Sequence, residues 1–487
     1  MHMSPTKLLN ILTDNYPNID KTQIEEIERV YAFAETAHRG QKRASGADYI
    51  QHPLGTACIL AQSKLPLPII IAGLLHDVPE ETKKTLNDIK KEFGADISGM
   101  VEGITKVGHV KYRGIDRYVE NLRKMFVAMA DDIRVIIIKF ADRLDNLQTL
   151  YALPANKQKR IALETMEIYA PIANRLGMGD MQGRLEDAAF KYAMPEEYQW
   201  TDQMMKRLAP KKEKVLESML ARAQKELKKE DLEILKIFGR KKHYYSLYRK
   251  LLKYDKNINQ IYDIIAARIL VPDIQTCYAA LGFLHNIWKP VHGRIKDYIA
   301  QPKPNGYQSL HTTVFGDNGE IIEFQIRTPE MDDQAELGIA SHWQYKEKLP
   351  NVEKKIAWVE NLVKWMKSQQ DKNFLEKVKI DIFQNRIFVF TPNGDVIDLP
   401  DGATPIDFAY HIHTSLGDSC GQATVNNQIV PLDTRLKNGD IVKITSDKSR
   451  KGPSAKWLDS IKTSTARHHI LNHTKKTGWK KFLPLSK

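Results

Sequence analysis

Over the first 195 residues, apolar side chains recur at helical spacing. The segments 24–38, 68–76 and 133–150 each place them three to four residues apart, and strand-like alternation is scarce. This pattern predicts an all-α region over 1–195. A Lys/Glu-rich helical stretch at 196–230 leads into a different pattern. Strands are expected at 232–238, 264–271, 308–315 and 320–326, with helices at 244–253 and 275–288, giving a mixed α/β region over 196–350. Residues 353–370 place Ile356, Val359, Val363 and Met366 on one helical face, a linker helix within 351–379. A small β-rich unit is expected over 380–446. Its strand at 387–391, its turn Pro392-Asn393-Gly394-Asp395 and its returning strand at 396–399 read as a hairpin, followed by a helix at 406–413 and a strand at 440–444. From 447 to 487 no compact core is evident, and no internal repeat is present.

Length and composition sharpen this picture without changing it. A chain of 487 residues accommodates several cores, and 42% hydrophobic with 27% charged residues is ordinary globular usage. No apolar run reaches bilayer-spanning length, and the N-terminus lacks a signal-peptide pattern, so no membrane partner is expected. Cys58, Cys277 and Cys420 are far apart, which fits a reducing cytoplasm and argues against structural zinc. The net charge of +13 is unevenly spread: residues 447–487 hold eleven Lys or Arg against two Asp. That basic tail suits RNA or another polyanion, and equally a solvated terminus.

Two groups of residues carry chemistry. In the first, His76 and Asp77 end an apolar helix, Glu80 falls on the same helical face, and Glu81 lies four residues beyond Asp77. On another helix Asp142, Asn146 and Thr149 form a stripe, and His52 follows the turn ASGADYIQHP. Imidazoles mixed with carboxylates suit Mn²⁺, Fe²⁺ or Zn²⁺, and such an ion activates water against a phosphoester. Glu80 would serve as general base or orient that water, and Lys42 and Arg43 would meet phosphates. The plainer reading is a set of satisfied polar groups inside a bundle.

In the second group, Arg240, Lys241 and Lys242 are placed in a loop opening a helix that carries Ser246, Arg249 and Lys250, a good anion site. Asp263 begins a strand. Lys296, Lys303, Asn305 and Tyr307 come from GRIKDYIAQPKPNGYQSLH, and Glu323 and Gln325 share one strand face with Arg327. Asp263 and Glu323 would hold Mg²⁺ on nucleotide phosphates, and Tyr307 would stack on a base. No Walker, GxGxxG or kinase motif is present. From spacing alone, a basic surface with structural ion pairs serves as well.

The two groups together resemble the RelA/SpoT family of bifunctional (p)ppGpp synthetase/hydrolases, over nearly the whole chain. The resemblance implies a multidomain protein: an all-α HD-type hydrolase domain, an α/β nucleotidyltransferase-like synthetase domain, and a small β-grasp-like TGS domain at 380–446. It implies Mn²⁺ on His52, His76, Asp77 and Asp142, with Glu80 and Glu81 activating water and Arg43, Asn146 and Thr149 binding nucleotide. It implies Mg²⁺ on Asp263 and Glu323, with Glu323 alternatively activating the 3′-hydroxyl. Arg240, Lys242, Ser246, Lys296 and Lys303 would hold ATP phosphates, Asn305 and Tyr307 would recognise guanosine, and His311, Gln325 and His342 would support the site. RIKD at 294–297 resembles the form found in bifunctional members.

Three positions depart from the pattern. Glu81 stands where Asp is expected, Asp145 where His is common in DRLHN, and Lys241 where Pro is common. The extra methylene of Glu81 would shift its carboxylate by about 1 Å, enough to slow hydrolysis. The expected substrates are ATP, GDP or GTP, and (p)ppGpp. The TGS-like unit, with His411 and His413, and the basic tail would reach ribosome or tRNA, although those histidines serve equally as caps. The long members' helical, zinc-finger and ACT-like regions are not in this sequence. Two other readings stay open: a synthetase whose HD half is regulatory, and a ribosome- or tRNA-binding sensor with little catalysis.

Overall fold

Apolar spacing becomes helix in the described residues of the N-terminal region of the computed structural model. The structure describes residues 4–108, 124–254, 264–303, 305–343, 386–393, 395–437, 439–447, 449–450 and 452–480. The chain folds as two units, Met1–Gln370 and Asp371–Lys487.

At the centre of the helical region lies Gln51–Gln62, buried from Gln51 to Ala61. It packs between Leu67–Leu75 and Ile133–Gln148. Gly73 permits this approach, since a Cβ there would strike Leu60. Capping fixes the flanking helices: Asp20 accepts from Gln23 N at 2.9 Å, and the Gln23 side chain accepts from Asp20 N at 3.1 Å. One expectation needs correcting. The helix carrying His76 stops at Leu75, and a separate turn of helix runs Val78–Glu81. Pro79 has no N–H to continue the ladder back to Leu75. His76, Asp77 and Glu80 therefore share a corner of the chain, and no single helical face.

The second region begins with the 35-residue helix Pro195–Lys229, which packs on the sheet and its helices. The strands are β1 Lys236–Lys241, β2 Ile265–Leu270, β3 Lys296–Asp297, β4 Leu310–Phe315 and β5 Ile321–Arg327, in the order β1-β2-β5-β4-β3. Only β2 and β5 run parallel. The core joins Leu247 and Leu251 to Ile265, Ile269, Phe324 and Ile326, with Trp288 stacked on Phe324. Strand β1 lies further along the chain than its expected span of 232–238. Arg240 and Lys241 are consequently strand residues paired with Ala266 and Ile265, and the helix opens only at Tyr244. The two-residue β3 is too short to show in a periodic pattern. The linker helix expected at 353–370 falls outside the described residues.

Helical and sheet regions meet directly. Leu176 O accepts from Ile339 N at 2.9 Å, where Gly177 (φ +77°) lies against Gly338 (φ +58°). A side chain at Gly338 would run into the Gly177 backbone, and one at Gly179 would lie 2.6 Å from Ala335 O. Asp187 accepts from Tyr245 N at 3.0 Å and pairs with His243 Nδ1 at 2.9 Å.

In the second unit the hairpin β6 Arg386–Phe390 and β7 Val396–Pro400 matches the expected one. A further sheet, β10-β8-β9, comprises β8 Cys420–Val425, β9 Gln428–Val430 and β10 Val442–Ser446. The residues beyond 447 form more than a tail. Ile461, Ala466 and Ile470 are buried against Ile406 and Tyr410, and a helix spans Ser464–Lys480. The expectation failed because the apolar positions there are sparse and find their partners on the distant helix Pro405–Ile412. Buried Asp407 ties the two together. It caps its own helix at Thr404 and accepts from Lys462 N at 3.0 Å and Thr463 N at 2.7 Å. No helix among the described residues is long and apolar enough to cross a membrane.

Candidate functional site

Where Gln51–Gln62, the His76–Asp77 corner and Ile133–Gln148 converge, ligand atoms of His52, His76 and Asp142 lie within 4.8 Å of one another, all buried. Asp77 lies beside the group: its Oδ2 is 3.5 Å from His52 Nε2 and its Oδ1 is 3.2 Å from His76 Nε2. Each imidazole is held through Nδ1. His76 Nδ1 donates to Gly73 O at 2.8 Å, and His52 Nδ1 donates to Asp145 Oδ2 at 2.7 Å. Both Nε2 atoms thus face the acids. His76 Nε2 is buried without a hydrogen-bond partner, a cost that a cation relieves. With two imidazoles, two carboxylates and no thiolate, the donors fit a divalent metal.

The electrostatics agree with this assignment. Burial raises the Asp142 carboxyl, but Lys139 at 2.7 Å and the two histidines hold it well below the ordinary range. Burial likewise raises Asp77, and His76 and His52 overcome that effect. Burial opposes charge on His52, yet bonds to Asp142 and Asp145 and the field of Asp77 raise it to about 9. The cluster is a set of ionised acids looking for a cation.

Beside it opens a cavity of about 330 Å³ lined by Arg43, Lys139, Asp142, Asn146, Thr149 and Arg160, among others. Arg43 donates to Asn146 Oδ1 at 2.6 Å, and Asn146 Nδ2 donates to Asp142 at 2.5 Å, so the expected nucleotide residues connect to the metal cluster. Glu80 is half-buried and Glu81 exposed, one turn beyond the ligands. Sequence reasoning missed Tyr49, whose hydroxyl donates to Asp77 at 3.0 Å, and missed the role of Asp145.

The second group also assembles. Arg240, Lys242, Ser246 and Gln325 line a cleft of about 200 Å³, which Gln182 and Gly183 of the helical region complete. Next to it Tyr307 Oη lies 2.7 Å from His311 Nε2, and His311 Nδ1 lies 3.1 Å from Glu323 Oε1. Gln325 Nε2 donates to the same carboxylate at 3.0 Å. Burial lowers His311, consistent with a neutral ring that takes the tyrosine proton and gives its own to Glu323. Lys303 stands 4.7 Å over the Tyr307 ring. Burial first, then repulsion from Lys296, brings its ammonium down to about 8.

The remaining residues have the following surroundings. Lys296 is exposed on β3. Asn305 Oδ1 accepts from Tyr307 N at 3.2 Å and so helps to set the turn. Arg240 is tied to Glu336 at 3.0 Å, within a network joining Arg268, Arg327 and Asp332. Arg327 is fully buried there. Neither Asp332 nor Glu336 stood out in the sequence, since nothing local marks them. Asp263, and the side chain of His342, lie outside the described residues.

Known proteins match this layout region by region. An HD domain matches residues 30–179, the region found in RelA/SpoT proteins matches 239–349, and a TGS domain matches 387–446. A guanosine-3′,5′-bis(diphosphate) 3′-pyrophosphohydrolase of Aquifex aeolicus is 45% identical over 478 residues, covering 98% of this chain and 68% of that protein. A GTP pyrophosphokinase of Streptomyces coelicolor is 44% identical, over 95% of this chain and 57% of its own length. The bifunctional (p)ppGpp synthase/hydrolase SpoT of Escherichia coli K12 is 41% identical, over 95% and 66%. The chain thus spans between 57% and 68% of the length of these relatives. With near-complete coverage at this identity, the chain belongs to the RelA/SpoT family.

Proposed function

We propose that the chain is a bifunctional guanosine tetra/pentaphosphate enzyme that makes (p)ppGpp at one site and hydrolyses it at the other. The observation that carries this reading is the coexistence of a buried His52–His76–Asp142 cluster, containing an orphaned imidazole nitrogen, with a separate basic cleft beside Glu323. The relatives include a protein named for each activity and one named for both.

In synthesis, the 3′-oxygen of GDP or GTP attacks the β-phosphorus of ATP, the bond to the α-phosphate oxygen breaks, and AMP leaves. Arg240, Lys242, Ser246, Lys296 and Lys303 hold the ATP phosphates. Asn305 and Tyr307 position guanosine, and Glu323, oriented by His311 and Gln325, draws the hydroxyl proton. Asp263 would hold Mg²⁺, with Glu323 as a second ligand in the alternative to its role as base, and the ion would supply charge neutralisation on the phosphates.

In hydrolysis, water attacks the phosphorus attached to the 3′-oxygen, releasing GDP or GTP and pyrophosphate. His52, His76, Asp77 and Asp142 would hold a divalent ion, Mn²⁺ in this reading, which would supply Lewis acidity and ease loss of a proton from water near neutral pH. Glu80 takes the water's proton with Glu81 beside it, the bond from phosphorus to the 3′-oxygen breaks and that oxygen picks up a proton, while Arg43, Asn146 and Thr149 hold the nucleotide in the 330 Å³ cavity. The intact ligand set favours active hydrolysis over a purely regulatory role. The C-terminal unit, with exposed His411 and His413, offers a surface for ribosome or tRNA.

Two assays on one preparation test this reading. ATP plus GDP should yield a 3′-pyrophosphorylated product, and (p)ppGpp plus Mn²⁺ should release pyrophosphate that chelation abolishes. Absence of the first product overturns the synthetase, and Mn²⁺-independent or absent release overturns the hydrolase. RNA or ribosome binding should be lost on removing 380–487.

A further inference from the structure

We infer that Asp145 is a positioning residue for the metal cluster: it fixes the ring of His52 so that Nε2 is the ligand atom. Asp145 is 5% exposed, lies 93 residues from His52 in sequence, and accepts from His52 Nδ1 at 2.7 Å. The opposite ring nitrogen looks at Asp142 Oδ1 at 3.3 Å and Asp77 Oδ2 at 3.5 Å. A carboxylate offers no proton of its own, so Nδ1 carries the hydrogen, and Nε2 is the nitrogen that gives up its proton and presents its lone pair when a cation binds.

His76 achieves the same orientation differently, through the Gly73 carbonyl. The two imidazoles therefore have unlike supports, one a fixed main-chain oxygen and the other a side chain that substitution can remove. Asp145 also sits between Leu144 and Asn146 on the helix that supplies Asp142, three residues away. One helix thus provides both a ligand and the brace for a ligand on another helix. Outer carboxylates that brace a ligating histidine set its orientation and basicity, and their loss typically costs about 10–100-fold in metal affinity.

The inference rests on the metal-site reading above, and Mn²⁺ titration of the full chain, followed by the electron paramagnetic resonance signal of free Mn²⁺, separates the two. If the unaltered protein binds no Mn²⁺ at the cluster, the metal reading itself falls. If it binds, Asp145→Ala should weaken Mn²⁺ about 10–100-fold. Asp145→Asn, which keeps an acceptor oxygen at the same place, should stay within a few-fold. Asp145→Leu fills the volume without an acceptor and should behave like Ala, which guards against a cavity effect. Synthesis from ATP and GDP should persist in all three, reporting an intact fold. Unchanged affinity in Ala and Leu overturns the role, as does an Asn variant as weak as Ala, since charge and not orientation would then be at work.

Discussion

Lys303 and Glu323 show how much one side chain's surroundings decide. Glu323 takes bonds from His311 and Gln325, an arrangement that fixes its direction before substrate arrives. Glu323→Gln keeps the shape and removes the base, so synthesis should fall at least about 100-fold while Mn²⁺-dependent hydrolysis continues. Both activities measured on one sample decide it. Lys303, with its ammonium down at about 8, is cationic below that pH and neutral above it. The kcat/KM of synthesis reports the free enzyme, so it should decline as pH rises beyond about 8. Lys303→Arg, whose guanidinium stays charged, should remove that limb; a limb that survives the change belongs to another group. At this scale the sequence was only partly legible. Alternation along β5 correctly put Glu323 and Gln325 on one face. The partners of His52, Asp77 and Arg240, namely Asp145, Tyr49 and Glu336, come from 93, 28 and 96 residues away, and no local pattern marks them.

At the scale of elements, periodicity located the helices and most strands, and missed what depends on pairing. Strand β1 was misplaced because Leu232 and Ile234 pack against the core without joining the ladder. The helix Ser464–Lys480 escaped notice because its apolar residues are few and their partners, with buried Asp407, lie on the distant helix Pro405–Ile412. Asp407 serves Thr404 at the start of one helix and the main chain at 462 and 463 before another. Asp407→Ala leaves the buried N–H groups of Thr404 and Thr463 without this acceptor, each costing about 1–3 kcal/mol before relaxation. The expected result is a net loss of about 2–4 kcal/mol in the C-terminal unit. Hydrogen exchange at 462–470 should accelerate strongly, with the helices around His52 unaffected. Unchanged exchange there means the tail is held by Ile461, Ala466 and Ile470 alone.

For the molecule as a whole, the helix Gly179–Ala193 connects the two chemistries. It packs against Ile133–Gln148, which bears Asp142 and Asn146. It also lends Gln182 and Gly183 to the basic cleft and holds His243 and Tyr245 through Asp187. Gly183 leaves no room for a side chain against His243, and the Gly177–Gly338 joint leaves none between backbones. Such close packing transmits a shift of one region to the other without slack. Opposed activities in one chain consume ATP to no end unless occupancy of one site disfavours the other. A non-hydrolysable ATP analogue, at saturating concentration, should therefore slow (p)ppGpp hydrolysis several-fold, within the range of about 5–150-fold usual for coupled sites. Gly338→Ala places a side chain at φ +58° and against Gly177, at a strain of about 1–3 kcal/mol. It should pry the joint apart, bringing the analogue's effect on hydrolysis towards one while each activity measured alone persists. An analogue that leaves wild-type hydrolysis unchanged refutes the coupling. An analogue that acts equally on wild type and Gly338→Ala moves the coupling elsewhere, to the Asp187 contact with His243 and Tyr245.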